Sequence, residues 1–134
     1  IAQFEAKALE GRVPALAASA RTEGPYRLVA ESIGTAASGD DVRSLALQVR
    51  ERVGSGAVVA LGAEVAGRAV VIVATDETAR TSGAKAGVLA KAAAAALGGG
   101  GGGRDDVAQG GGTDASALPA ALTAVVTALA ATTA

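Results

Sequence analysis

The chain has 134 residues, a formal net charge of −1 and a composition that is half apolar. This length corresponds to one domain, and the near-neutral charge gives no overall basic field, so any polyanion site must be a local patch. The absence of cysteine and histidine excludes disulfides, thiolate zinc sites and histidine-based catalysis. The only aromatic residues, Phe4 and Tyr26, are too few for a surface that stacks several bases.

The first twenty residues predict a helix, because apolar side chains recur at alternating spacings of four and three, at Ala2, Ala6, Leu9, Val13, Leu16 and Ala20. Pro14 predicts that this helix kinks or ends near Val13. Two interpretations stay open: the stub of a longer helix that packs on its own domain, or the end of an oligomerising arm. Since the chain starts at Ile1 and contains no methionine, we expect a fragment of a longer protein.

The next segment combines turns, a strand and a strongly patterned helix. Residues 21–25 are turn-like, residues 26–33 have the composition of a strand, and residues 34–39 are typical of a loop. Asp40 and Asp41 then predict a helix start and Gly54 its end. The apolar residues of this helix share one face: Val42, Leu45, Ala46, Val49 and Val53.

Two apolar runs, residues 57–61 and 69–74, predict strands joined by a hairpin at residues 66–68. Their unbroken apolar character predicts burial on both faces, with helices over the sheet. Residues 76–82 predict turns, and Ser82 predicts the cap of a helix over 84–97. A last helix covers 118–130, with Pro119 in its first turn. The predicted fold is α/β (α+β): a mixed β-sheet flanked by helices, with an N-terminal helical stub (1–22) before a globular domain (23–134).

Residues 98–114 read GGGGGGRDDVAQGGGTD, and two interpretations fit this stretch. Glycine runs are typical of flexible linkers. Alternatively it is a built loop, in which Gly98 ends the preceding helix and Val107 and Ala108 add a short strand. Thr113, Asp114 or Ser116 would then cap the last helix. Such a loop presents backbone N–H groups that bind anions.

The charged residues favour anion binding over catalysis. The acidic pairs Asp40/Asp41, Asp76/Glu77 and Asp105/Asp106 are best explained as solvated or helix-start carboxylates. Ser82 and Lys85 have the S-x-x-K spacing, but the companion motifs of that nucleophile are missing. Four cations flank the last-but-one helix and the glycine stretch: Arg80, Lys85, Lys91 and Arg104. They form either one basic face that reads phosphates and shape or a set of ordinary solvated charges.

Residues 26–134 resemble the C-terminal (C-Ala) region of bacterial alanyl-tRNA synthetases. The most specific part is GGGGGGRDDVAQGGG at residues 98–112. The family often has lysine where this chain has Gly100, and proline where it has Asp105. Both departures weaken a phosphate-binding role for the loop itself.

The resemblance implies a DHH-associated domain without chemistry of its own. It implies that the domain binds the tRNA elbow, where the D and T loops meet, and helps the aminoacylation and editing modules to share one tRNA. The implied parent is a cytoplasmic alanine–tRNA ligase that uses ATP, Mg and Zn, with no cofactor held by this chain. The implied partner is tRNA(Ala). A homodimer through the helical arm or the globular domain stays open, and no membrane partner is expected.

No catalytic or metal-binding residue is predicted. The candidate tRNA contacts are Arg80, Lys85, Lys91, Gly101, Gly102, Gly103, Arg104, Gln109, Gly110 and Gly111. Two other functions stay open. One is the substrate-binding domain of a DHH phosphoesterase, although that family usually has histidine at the position of Arg104. The other is a dimerisation module whose contact with nucleic acid is incidental.

Overall fold

The computed structural model describes residues 11–36 and 38–132, and in this part of the chain a six-stranded mixed sheet carries helices on both faces. The predicted mixed α/β architecture is confirmed. The elements are α1 (Val13–Ala18), β1 (Arg21–Glu23), β2 (Tyr26–Ala36), α2 (Gly39–Val53), β3 (Ala57–Val65), β4 (Arg68–Thr75), α3 (Glu77–Thr81), α4 (Ala86–Ala96), β5 (Gly100–Gly103), β6 (Val107–Gly112), a 3₁₀ turn (Ala115–Ala117) and α5 (Leu118–Ala131).

The strands lie in the order β1-β2-β3-β4-β6-β5. Strands β2 and β3 are parallel and joined through α2, whereas all other neighbours are antiparallel. Ile72 of β4 pairs with Gln109 of β6, which pairs in turn with Gly102 of β5. Because partners in register point to the same face of a sheet, these three residues form one row across the strands.

Each face of the sheet has its own apolar core. Leu89 and Ala93 of α4 and Val125 of α5 pack on one face. Leu45 of α2 and Leu16 of α1 pack on the other. Strands β3 and β4 are buried at almost every position, which confirms the prediction from their unbroken apolar sequence. No helix among the described residues is long and apolar enough to cross a membrane.

Helix α2 and the β3–β4 hairpin form as predicted. Ser38 caps α2 by accepting a hydrogen bond from the backbone N–H of Asp41 at 3.2 Å. Gly54, with φ of +90°, ends the helix. Ala66 and Gly67 both have positive φ, 51° and 80°, which is the backbone of a two-residue hairpin turn that matches the twist of its strands.

The N-terminal prediction is partly wrong. Residues 1–10 lie outside the described residues, and the boundary predicted at residue 22 stays a prediction. Pro14 occupies the first turn of α1, where proline loses no helical hydrogen bond; most of the helix that it is predicted to kink or end lies outside the described residues. Residues 21–23, predicted as a turn, form edge strand β1, and β2 continues to Ala36 through the predicted loop.

The segment before α4 also differs from the prediction. Residues 77–81 form α3, whose cap is Asp76: its Oδ1 accepts from the N–H of Ala79 at 2.8 Å. Ser82 stands at the end of α3 and does not cap α4. The first turn of α4 is instead tied to the glycine stretch, because the N–H of Ala86 donates to the carbonyl of Asp105 at 2.9 Å.

Candidate nucleic-acid interface

The glycine stretch is a β-hairpin at the edge of the sheet, so the flexible-linker interpretation is wrong. Gly98, with φ of +74°, follows the end of α4 as predicted. Strand β5 then consists of four glycines paired with β6, from Gly100 opposite Gly111 to Gly103 opposite Ala108. At the tip, the N–H of Arg104 donates to the carbonyl of Val107 at 3.1 Å.

One face of this hairpin is closed by α4. A β-carbon on Gly110 would lie 2.5 Å from the carbonyl oxygen of Ala90, and one on Gly101 would lie 2.7 Å from Cα of Gly110. Real β-carbons do not approach other atoms so closely, so the missing side chains let α4 lie directly on the strands. The glycines on this side therefore serve packing and position α4.

The opposite face of the hairpin, on the side of α2, is open. A β-carbon on Gly100 or Gly102 would meet no heavy atom within 4 Å. Two cavities of about 250 and 450 Å³ lie here. Gln109 lines both cavities. We call this surface the glycine groove; it is made by Gly100, Gly102, Gln109 and Gly111 as floor, with Arg43, Arg68 and Arg104 as its cationic border.

The border arginines differ in their charge balance. Arg43 and Arg68 are exposed, and neither forms a salt bridge within residues 11–36 and 38–132. Arg104 instead pairs with Asp106 through two hydrogen bonds of 3.2 Å each, Nε to Oδ1 and Nη2 to Oδ2. Asp40 and Asp41 add negative charge in the first turn of α2. The three guanidinium groups of the border are therefore balanced by the carboxylates of Asp40, Asp41 and Asp106, and one of them is paired directly.

The Arg104–Asp106 pair shifts both pKa values. The hydrogen bond from Arg104 is the largest cause that lowers the pKa of Asp106, opposed by partial burial and supported by the nearby positive charges of Arg104 and Arg80. The same hydrogen bond raises the pKa of Arg104. Both groups therefore stay ionised at neutral pH, and a phosphate that binds Arg104 must compete with the Asp106 carboxylate.

The predicted basic residues are only partly brought together. Arg80 and Lys85 lie near the hairpin tip. Arg80 donates to the carbonyl of Thr75, and the Thr75 hydroxyl donates to the carbonyl of Asp105 at 2.7 Å. Lys85 directly precedes Ala86, whose N–H also donates to the Asp105 carbonyl. Lys91 is exposed on α4, on the far side of the hairpin from the glycine groove. Of the predicted glycines, Gly102 and Gly111 face the groove and Gly101 and Gly110 face α4, whereas Gly103 lines the smaller cavity and its β-carbon position lies 2.8 Å from Ala108.

Arg43 and Arg68 are groove residues that the sequence prediction missed. Arg43 occupies an exposed position of an amphipathic helix, and Arg68 follows a hairpin turn. Both are common places for solvated charges. Only the pairing of β6 with β4, far apart in sequence, places them beside the glycines. No local signal in the sequence carries that information.

Comparison with known proteins establishes the family. The model of the DHHA1 domain matches residues 26–131. The chain belongs to the DHHA1 domain family. It is 58% identical over 131 residues to the alanine–tRNA ligase of Clavibacter michiganensis subsp. michiganensis, and 54% identical over 130 residues to that of Leifsonia xyli subsp. xyli. These matches cover 97% and 96% of this chain but only 15% of each ligase.

Solved structures show the same fold. The C-Ala domain of Aquifex aeolicus alanyl-tRNA synthetase superposes with a TM-score of 0.72 at 23% identity, covering 84% of this chain and 98% of that one. RecJ from Thermus thermophilus, in complex with Mg²⁺, gives a TM-score of 0.64 at 16% identity, covering 94% of this chain and 18% of RecJ. The resemblance to the C-Ala region is thereby confirmed. In the described part of the chain, no group of three or more acidic side chains is arranged to hold a metal ion.

Proposed function

We propose that this DHHA1 domain binds tRNA as the C-Ala module of an alanine–tRNA ligase, and that the RNA backbone lies in the glycine groove. The observation that carries this proposal is the bare backbone floor at Gly100 and Gly102 beside the exposed guanidinium groups of Arg43 and Arg68. The names of the sequence relatives, alanine–tRNA ligases, supply the nature of the nucleic acid.

A glycine floor suits a sugar–phosphate backbone. Without side chains, the ligand can approach the peptide groups closely. Backbone N–H groups lie in the plane of the sheet, so those that can donate to phosphate oxygens are on the outer edge of β5, which pairs with β6 on one side only. A guanidinium group on the border can donate two parallel hydrogen bonds to two oxygens of one phosphate, and it stays charged at all physiological pH values. Since the net charge of the chain is −1, recognition relies on this local patch, and the affinity falls as salt rises.

The finer role follows from the implied parent enzyme. In this proposal the domain contacts the elbow of tRNA(Ala) in the cytoplasm and keeps one tRNA available to the aminoacylation and editing modules. The ATP, magnesium and zinc chemistry belongs to segments outside this chain, and the domain itself performs no catalysis. Dimerisation through the helical arm or the globular domain remains a further part of the proposal.

Binding of intact tRNA(Ala) and of an acceptor-stem minihelix tests the elbow contact. We expect the 134-residue chain to bind the intact tRNA more tightly, with an affinity that falls steeply between low and physiological salt. Equal affinity for the minihelix, which lacks the elbow, would overturn the elbow assignment. Absence of salt-dependent binding to either RNA would overturn the proposal as a whole.

Single arginine variants test the groove. Arg43→Ala and Arg68→Ala should each weaken tRNA binding and reduce the salt slope by roughly one. Arg52→Ala is the matched control, because it removes the same charge from the other end of α2, about 13 Å along the helix. Lys85→Ala and Lys91→Ala test the surface predicted from the sequence. If these lysine variants weaken binding and the Arg43 variant does not, the RNA lies on the α4 side.

A further inference from the structure

The smaller cavity of the glycine groove, about 250 Å³, has a carboxamide as well as cations in its lining. Ile72 and Val107 lie beneath it and are only 1% and 8% exposed, so little of their aliphatic surface is accessible. Arg43 approaches from α2 and Gln109 stands at one side. The accessible lining includes glycine backbone and the side chains of Arg43 and Gln109, which can contact the face and the edge of a planar group.

The register of the strands leaves open space at one end of a row of residues under this cavity. Ile72, Gln109 and Gly102 form one row across β4, β6 and β5. Ile72 and Gln109 carry side chains, whereas Gly102 leaves open space above its peptide backbone. A planar ring laid over Gly102 would therefore have its face against the backbone and would lie beside Gln109, the cross-strand partner of Gly102.

The Gln109 carboxamide is free to read such an edge. Among the residues that the structure describes, it has no hydrogen-bond partner, although its amide is 3.6 Å from the β-carbon position of Gly39. A carboxamide offers one acceptor and two donors side by side, and glutamine pairs in this way with the edge of adenine. Against a phosphate, only the donors would be satisfied, and the amide oxygen would face negative charge.

Arg43 supplies a planar group that can stack on the face of a base. Its guanidinium group makes no salt bridge within the described residues and borders the cavity from α2. A guanidinium plane stacks on unpaired bases in RNA complexes. The cavity is small, about 250 Å³, compared with the roughly 300–1,000 Å³ of sites for drug-sized ligands.

We propose that this cavity binds one unpaired nucleobase of the RNA, with Gln109 reading its edge and Arg43 stacking on its face. The inference rests on the proposed RNA binding and adds base recognition to the phosphate contacts proposed for the glycine groove. The base must be splayed out of any helix, because stacked and paired bases present no free face.

The test compares short single-stranded RNAs of equal length, with and without one central abasic ribose, bound to the 134-residue chain. The phosphate charge is identical in the two RNAs, so only a base contact distinguishes them. We expect the abasic RNA to bind roughly five-fold or more weakly, with the same salt slope. Equal affinities at every salt concentration would overturn the base site while leaving phosphate binding intact.

Variants of the cavity residues test whether the difference in affinity between the intact and the abasic RNA arises in the cavity. Gln109→Ala should bring the two RNAs to nearly equal affinity without changing the salt slope. Gln48→Ala, which removes a carboxamide from the surface of α2, should leave their ratio unchanged. Arg43→Ala should lower both the affinity ratio of the two RNAs and the salt slope of binding. Gln109→Asn keeps the functional group on a shorter stem and should retain part of the ratio, and heteronuclear NMR spectra confirm that each variant is folded.

The outcomes separate the two proposals. An unchanged ratio in a folded Gln109→Ala variant overturns the base site, even if tRNA still binds in a salt-dependent way. If neither RNA binds at any salt concentration, the RNA-binding proposal fails and the base site fails with it. Titration with adenosine and with ribose 5-phosphate identifies the cavity directly: only the nucleoside should shift the side-chain amide resonances of Gln109.

Discussion

The carboxamide of Gln109 lies against the amino end of α2, where both its Nε2 and Oε1 atoms are 3.6 Å from the position that a β-carbon would take on Gly39. This contact joins the glycine strands to a helix that starts seventy residues earlier in the chain. The contact forms one wall of the groove, and a substitution at Gly39 tests how closely Gln109 packs there.

Gly39→Ala should stabilise the domain by about 0.4–1 kcal/mol, because the backbone here is helical with ordinary space for a methyl group, and alanine reduces the entropy of the unfolded chain. Gly54→Ala is the contrasting variant: its φ of +90° is unfavourable for alanine, so it should destabilise by about 1–3 kcal/mol. Urea unfolding measures both. Destabilisation by the Gly39 variant would show that Gln109 leaves no room for the methyl group.

The two faces of the glycine hairpin should respond oppositely to alanine. Gly110→Ala places its methyl group 2.5 Å from the carbonyl of Ala90, and relieving this contact should cost about 1–3 kcal/mol or more. Gly100→Ala enters open space without a strained backbone, so the free energy of unfolding should change by less than about 0.5 kcal/mol. Equal effects in chemical denaturation would contradict the assignment of a closed and an open face.

Elements with a self-contained pattern were predictable from the sequence. Helix α2 carries its apolar stripe, its acidic start and its glycine end within residues 38–54, so no distant contact is needed to recognise it. The apolar runs of β3 and β4 are equally local. The mixed fold follows from these pieces together.

Elements that depend on distant contacts were not predictable. Four consecutive glycines favour no regular structure, and β5 is a strand only because β6 pairs with it and α4 packs on it. The β2 strand likewise continues past Gly34, with φ of +84°, because β3 pairs with it as far as Ala36. The groove arginines belong to the same class, since Arg43 meets β6 only through the sheet order.

The Arg104–Asp106 pair predicts a pH effect of definite sign. Because the pKa of Asp106 is lowered in the folded state, the pair contributes stability above the carboxyl's unfolded pKa, and this contribution disappears as the pH falls through its folded value. The side chain of Arg104 is 77% exposed, so the contribution is small. Arg104→Ala should raise the pKa of Asp106, as followed by carboxyl NMR, and Arg80→Ala should raise it much less.

Removal of Arg104 also tests its role towards RNA. If Arg104 contacts phosphate, Arg104→Ala should weaken tRNA binding and reduce the salt slope, even though the variant frees the Asp106 carboxylate near the groove. Asp106→Asn is the matched control, because it releases Arg104 from its partner and should strengthen binding. Unchanged affinity and salt slope in the Arg104 variant would place the phosphate contacts elsewhere on the domain.

Gly100 offers a gain of function. Its β-carbon position is open towards the groove, its φ is not in the left-handed region, and the resembled synthetase region often carries lysine here. Gly100→Lys should therefore fold and add one phosphate contact, raising tRNA affinity at low salt and steepening the salt slope by roughly 0.7–0.9. Gly100→Gln controls for side-chain length without charge, and Gly100→Glu should weaken binding. Filter-binding titrations at several salt concentrations measure all three, and if the lysine and glutamine variants bind alike, RNA phosphates do not pass over Gly100.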